Sequence, residues 1–248
     1  MILILAHHYD SEAKWLTDNL ANGLKNSNVK LLIAEALGID YLISLSLNDN
    51  CTKTVIRFKN ADKALHAEDI LLVINRLVFI DPIVWNHSAE SEKSYATNEM
   101  NAFFSAFIYS FTCPVINQVI YGSLAGNNSD ILSMVNILRN NHITINKIVH
   151  DECISAQMAE DNLAECLRLM LWDRKIFFPD IQLNENFSEK IKSVFNKITY
   201  ASTLELFFRP NTSGFELIHI SRMPALSIYG QSFLNYLTDK VNTALLCS

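Results

Sequence analysis

Met1-Ile-Leu-Ile-Leu-Ala6 runs straight into His7-His8-Tyr9-Asp10, and from Ser11 the pattern changes. Six apolar residues without polar alternation are the mark of a strand buried on both faces. Ala13, Leu16, Leu20 and Leu24 then recur at helical spacing, with Ser11 placed as a cap and Glu12 in the first turn, which predicts a helix over 11–25. Residues 29–34 return to a short apolar run of strand type. Strand, helix and strand in that order predict a parallel βαβ start and an α/β fold. His7, His8 and Asp10 fall just past the first strand, at the edge where open α/β sheets gather ligands.

Further along, 38–70 is weakly patterned, although 52–58 alternates as a half-exposed strand does. Residues 70–77 predict a better strand, apolar until Asn75 and Arg76 at its end. Pro82 and the polar 86–94 read as a loop, 95–111 as a long aromatic helix with Glu99 near its beginning, and 113–117 as a short strand ending in Asn117. Glycine, asparagine and serine crowd 121–130, the best internal boundary, which divides the chain into 1–122 and 123–248. Helices are expected over 131–139, 188–197 and 232–246, and an extended piece over 143–149. Residues 156–178 fit either one helix or a helix followed by a strand through 175–178. Residues 203–208 and 215–221, separated by Pro210-Asn211-Thr212-Ser213-Gly214, predict an antiparallel pair. The expected architecture is a parallel or mixed N-terminal sheet with flanking helices, followed by a smaller α+β half.

Composition narrows the function. Half of the 248 residues are apolar, enough for a large core, and 20 basic against 26 acidic residues with no basic run speak against a nucleic-acid footprint. The apolar N-terminus is short and lacks a basic flank, and later apolar runs stop well before the roughly 18 residues of a membrane helix, so a cytoplasmic protein without a membrane partner is expected. Five scattered cysteines without a C-x-x-C pair argue against a disulfide framework or a cysteine zinc site. Six glycines, none in a phosphate-cradling G-x-G-x-x-G or Walker arrangement, exclude those nucleotide sites.

Asn75-Arg76-Leu77, then Tyr95-Ala96-x-Asn98-Glu99-x-Asn101-Ala102, then Pro114-Val115-Ile116-Asn117 resemble the domain that precedes the ATP-grasp fold in peptide-modifying ligases. Leu204-Glu205-Leu206, a turn, and Glu216-Leu217-Ile218-His219-Ile220-Ser221-Arg222-Met223-Pro224 resemble the closing hairpin of the ATP-grasp domain, followed by its last helix. The resemblance spans roughly 70–248, with a large gap in the middle. It implies a pre-ATP-grasp-like domain over 1–122 and a reduced ATP-grasp-like domain over 123–248. In those ligases the hairpin supplies an acid on its first strand and Glu and Asn on its second, as oxygen ligands for magnesium. Here Glu205 keeps the first position, but His219 and Ser221 stand at the others, and 121–146 contains no lysine to hold phosphates. About 70 residues separate the boundary loop from the hairpin, too few for a full nucleotide-binding subdomain.

The residues themselves leave several readings open. His7, His8 and Asp10 form a polar cluster for a substrate or metal, or else Asp10 caps the helix and the histidines are half-exposed loop residues. Arg76 clamps a carboxylate or phosphate, or makes a salt bridge, with Glu99 as the candidate partner. Tyr95 and Glu99, four apart, share a helix face. Asn75 and Asn117 bind ligand or satisfy loop backbone. Glu205 and His219, on neighbouring strands, are the candidate catalytic pair, or a plain cross-strand contact.

The leading expectation is a non-catalytic or accessory ATP-grasp-derived protein recognising a peptide or a partner enzyme, with no resident metal or cofactor. The alternatives are an ATP-dependent, magnesium-requiring carboxylate–amine ligase that keeps a pocket at Arg76, Glu99 and Asn117, and a metal- or small-molecule-binding protein using His7, His8 and Asp10. The apolar surface of the aromatic helix adds the expectation of a protein partner or a homo-oligomer.

Overall fold

The computed structural model describes residues 1–24, 29–48, 51–80, 89–119, 124, 128–145, 166–173, 175–179, 185–195, 203–212 and 214–247. Contacts divide the chain into two compact units, Met1–Ala125 with Leu234–Ser248, and Gly126–Phe233. The fold is mixed α/β. The sequence boundary at 122/123 lies outside the described residues, as do 82–88 and 146–165.

The first unit opens as the sequence predicts. Strand β1 (Ile2–Ala6) is buried along its whole length, helix α1 (Ser11–Gly23) follows, and β2 (Val29–Ile33) pairs parallel to β1 with Ile2 opposite Val29. Strand β6 (Leu72–Asn75) lies parallel on the other side of β1, and β7 (Val115–Ile116) parallel to β6, so the sheet order is β2-β1-β6-β7. Between β2 and β6 the chain builds a separate antiparallel sheet from β3 (Tyr41–Asn48), β4 (Cys51–Phe58) and β5 (Leu65–His66), in that order. The half-exposed strand expected over 52–58 is its middle member.

A parallel sheet must be covered on both faces. Leu3, Leu5, Val73 and Leu77 share one cluster with Phe104, Phe107 and Ile108 of α2 (Glu90–Tyr109) and with Tyr41, Ile56 and Leu65 from the small sheet. Ala13, Leu16 and Leu20 are the buried face of α1, which packs on β1 and β2. Helix α2 starts at Glu90, inside the stretch read from sequence as loop. Glu90 and Glu92 occupy its first turn, where carboxylates favour the positive end of the helix dipole, and a polar run there disguises a helix start as a loop.

The second unit is an antiparallel sheet in the order β11-β10-β8-β9, made of β8 (Leu167–Trp172), β9 (Lys175–Phe177), β10 (Leu204–Asn211) and β11 (Gly214–Ser221). The described part of the ambiguous 156–178 is thus two strands. One face buries Leu169, Leu171, Leu204, Leu206 and Phe208 against Leu138 of α3 (Asn128–Asn140) and Phe187, Ile191 and Val194 of α4 (Glu185–Phe195). Thr144 bridges to Glu216, the described part of the extended piece. The last helix, α5 (Gly230–Cys247), places Phe233 edge-on to Trp172 and Phe177.

Candidate functional site

The carboxyl ends of β1, β2, β6 and β7 bring together most of the polar residues singled out from sequence. Asp10 follows β1, Glu35 follows β2, Asn75 and Arg76 close β6, and Asn117 follows β7.

Asp10 does two jobs. Its Oδ1 accepts the Ala13 N–H at 3.1 Å and so caps α1, and its carboxylate takes Arg76 in two-pronged fashion, Nε to Oδ2 at 2.7 Å and Nη2 to Oδ1 at 3.0 Å. Both residues are buried, so each charge depends on the other for its burial. The carboxylate partner of Arg76 is therefore Asp10 rather than Glu99.

His7 is buried, at 1% exposure, and His8 is exposed, so the two are not the matched half-exposed pair expected from sequence. Val78 N–H donates to His7 Nε2 at 3.4 Å, which leaves Nδ1–H to donate to Glu35 Oε1 at 2.9 Å. The His8 backbone N–H donates to Glu35 Oε2 at 3.1 Å. Burial works to raise the Glu35 carboxyl, but the His7 bond, Glu35's own backbone N–H, the charge of His7 and the His8 backbone N–H together outweigh it and hold the group below its ordinary range. The ring of His7 is stacked on Tyr9, with 5.0 Å between centroids. Glu35 was missed from sequence. It lies just past the strand beside β1, and the rule that selected His7 and Asp10 selects it once the order β2-β1-β6 is known.

Asn75 Nδ2 donates to the carbonyls of Asn117 (2.9 Å) and Leu124 (2.7 Å), and its Oδ1 accepts the Leu77 N–H at 3.1 Å. Asn117 sits at φ 60°, a left-handed conformation that asparagine tolerates better than most residues, and its Nδ2 returns a bond to the Asn75 carbonyl at 3.2 Å. Its buried Oδ1 has no hydrogen-bond partner among the described residues.

Tyr95 and Glu99 are placed elsewhere. With Ser91, Glu92, Ala96 and Met100 they line a groove of about 580 Å³ along α2, where Tyr95 is 69% exposed.

In the second unit Glu205 and His219 do lie on adjacent strands and the same sheet face, but in register Glu205 is opposite Ser221 and His219 opposite Phe207. Glu205 is 2% exposed. Its Oε2 accepts the Ala225 N–H at 3.0 Å and its Oε1 the Tyr229 hydroxyl at 2.8 Å. Burial, then the adjacent Glu205 charge, pushes the Tyr229 hydroxyl far above its ordinary range, so it stays a donor. The His219 ring lies 5.2 Å from that of Phe207, over which Arg168 also sits at 5.0 Å. Ser221 Oγ donates to the Met223 carbonyl at 3.2 Å and accepts the Met223 N–H at 3.1 Å. Among the described residues no cluster of three or more His, Cys, Asp or Glu has metal-ligand placement, and no helix is long and apolar enough to cross a membrane.

No protein-family model matches the chain and no curated protein matches it. Solved structures do. A Chryseobacterium gregarium RiPP-associated ATP-grasp ligase, in complex with ADP and a leader and core peptide, superposes with a TM-score of 0.64 at 12% identity, over 96% of this chain and 96% of that one. The macrocyclase MdnC from Microcystis aeruginosa MRC, bound with precursor peptide MdnA, gives 0.64 at 8% identity over 90% and 92%. The ATP-grasp ligase PsnB, complexed with minimal precursor, Mg and ADP, gives 0.59 at 8% identity over 98% and 97%. Over nearly its whole length, the chain has the fold of RiPP-associated ATP-grasp ligases.

Proposed function

We propose that this chain is an accessory protein of a peptide-modification pathway, acting in the cytoplasm, which recognises a peptide or its modifying enzyme and does not itself ligate. The observation that carries the reading is the state of Glu205. Both of its carboxylate oxygens are engaged by the segment after β11, through Ala225 N–H and Tyr229 O–H. The neighbouring positions, His219 beside Phe207 and Ser221 bonded to Met223, serve structure as well. Magnesium asks for hard oxygen ligands in near-octahedral order, and imidazole and a hydroxyl are poor substitutes for carboxylate and amide oxygens. This donor set does not suit a magnesium–nucleotide centre. A peptide partner is favoured because the similar ligases were solved with leader, core or precursor peptides. On this reading 1–122 is the pre-ATP-grasp-like part and 123–248 the reduced ATP-grasp-like part.

An ATP-dependent carboxylate–amine ligase is the second reading, favoured by one observation: the similarity runs end to end in both chains, 96% of each for the Chryseobacterium ligase. A thermal-shift titration separates the two, because a ligand that binds only the folded state raises its stability by mass action. The accessory reading expects no rise with millimolar ATP and magnesium, and a rise with a precursor-type peptide. A magnesium-dependent rise with ATP overturns it in favour of the ligase.

A further inference from the structure

Strand β3, Tyr41-Leu-Ile-Ser-Leu-Ser-Leu-Asn48, forms one edge of the small antiparallel sheet; among the described residues it pairs with β4 and, at Tyr41 alone, bridges to Leu37. Exposed edges are usually blunted with charge, proline, a bulge or shortness, since their unpaired N–H and C=O groups template further pairing. Here eight residues run without a charge, a proline or a register shift.

The backbone groups that face outward can be identified. Lys59 N–H donates to the Asp40 carbonyl at 2.9 Å, which makes 40 and 59 a hydrogen-bonded pair. Antiparallel pairs alternate, so Tyr41, Ile43 and Leu45 are in non-hydrogen-bonded pairs and aim their N–H and C=O away from β4. The Tyr41 carbonyl is used in that direction already, accepting the Gly38 N–H at 2.8 Å, which leaves Ile43 and Leu45 to receive a strand.

Side chains name the chemistry of that strand. The outward face of the sheet carries Leu42, Ser44 and Ser46 on β3, Lys53, Val55 and Arg57 on β4, and His66 on β5, with no acid among them. At the start of β3 a pocket of about 280 Å³ is lined by Ile39, Leu42 and Phe58 together with Arg57 and Lys59. Lys30 lies over the Phe58 ring at 4.4 Å. Glu35 and Asp40 both carry charge that reaches Tyr41 at this end of the strand, and Ile39 and Leu42 are each more than half exposed.

We propose that β3 is a strand-addition edge for an extended acidic peptide segment, whose main chain pairs with Ile43 and Leu45, whose carboxylates meet Lys53 and Arg57, and whose apolar side chain fills the pocket at Ile39, Leu42 and Phe58. A second copy of the chain suits this edge less well, because it would bring a second row of Lys53 and Arg57 to the same face. The inference rests on the peptide-recognition reading and gives it a surface and a charge sign.

The test uses the full chain and two fluorescein-labelled octapeptides, one alternating glutamate with valine and one alternating lysine with valine, followed by anisotropy and amide hydrogen exchange. The acidic peptide is expected to bind in a salt-dependent way, to slow exchange at the Ile43 and Leu45 amides while Leu42 and Ser44 change little, and to lose about tenfold in affinity in Lys53→Glu/Arg57→Glu. Both substituted residues are surface positions, and an unchanged melting temperature confirms that the variant folds. Equal binding of the basic peptide, absence of protection at Ile43 and Leu45, or protection of those amides by concentration-dependent self-association each overturns the proposal. Charge reversal that leaves the binding of a precursor-type peptide intact sinks this surface and spares the accessory function, whereas failure of every peptide to bind sinks both.

Discussion

At the carboxyl edge of the parallel sheet, Arg76 reaches Asp10 across 66 residues of chain and Asn75 reaches the Asn117 carbonyl across 42. Glu205, by contrast, accepts bonds from residues 20 and 24 positions along, in the segment that follows its own hairpin. The first network ties three parallel strands together and forms only when the unit folds. The second is a local clamp of the 222–229 segment onto β10. A ligand entering the edge network would have to break a buried ion pair, whereas one entering at Glu205 would displace a hydroxyl and an amide among its partners. Structural commitment is therefore strongest at the position where an α/β sheet ordinarily binds its ligand.

The largest test of this contrast is Arg76→Met, which leaves Asp10 buried without its counter-charge. A loss of about 3–5 kcal/mol in urea unfolding is expected, and Asp10→Asn/Arg76→Met should recover part of it, since removing both charges is far less costly than stranding one. A loss below about 1 kcal/mol would mean that solvent reaches Asp10 and that the edge is open to ligands.

Glu205→Gln comes next. Replacing a charged acceptor by a neutral amide at the Tyr229 and Ala225 bonds is expected to cost about 1.5–3 kcal/mol, read from the same unfolding curves without nucleotide or metal. A variant as stable as the parent would show that the Tyr229 and Ala225 bonds do not commit Glu205 to structure and leave its carboxylate available to a ligand.

The smallest effect is a pH dependence. Glu35 is held below its ordinary carboxyl range in the folded chain, so its contribution is complete above the unfolded value of about 4.3 and is lost as pH falls through the lower folded value. Melting temperature followed downward from about pH 6 should therefore decline less steeply in Glu35→Gln than in the parent chain. Parallel declines would show that the His7 bond holds the ring in place without contributing to acid sensitivity.

Much of this was legible from periodicity and turn chemistry. The run 1–6 and the spacing of Ala13, Leu16 and Leu20 are local signals for β1 and α1, and the turn before Gly214 is a local signal for the β10–β11 pair. The start of α2 at Glu90 was hidden because residues that suit a helix's first turn are also those that suit a loop. Strand-end position selected His7, Asp10, Asn75, Arg76 and Asn117 from the sequence, but the salt-bridge reading of Arg76 offered Glu99 where the structure has Asp10, and Glu35 was passed over. Partner choice depends on which strands are neighbours, and the order β2-β1-β6-β7 is a long-range property.

By itself, then, the sequence determined the α/β class, the opening βαβ unit, the closing hairpin and the polar character of the strand ends, because hydrophobic period and turn residues act over a few positions. Only tertiary structure decided that Arg76 belongs to Asp10, that His7 is buried against Glu35, that Glu205 is held by Tyr229, and that β3 is, among the described strands, an edge beside Lys53 and Arg57. The Arg76, His7 and β3 arrangements depend on strand order and register, and the Glu205 bond on how 222–229 folds back onto β10; all arise from the burial of many side chains at once rather than from any local run of residues.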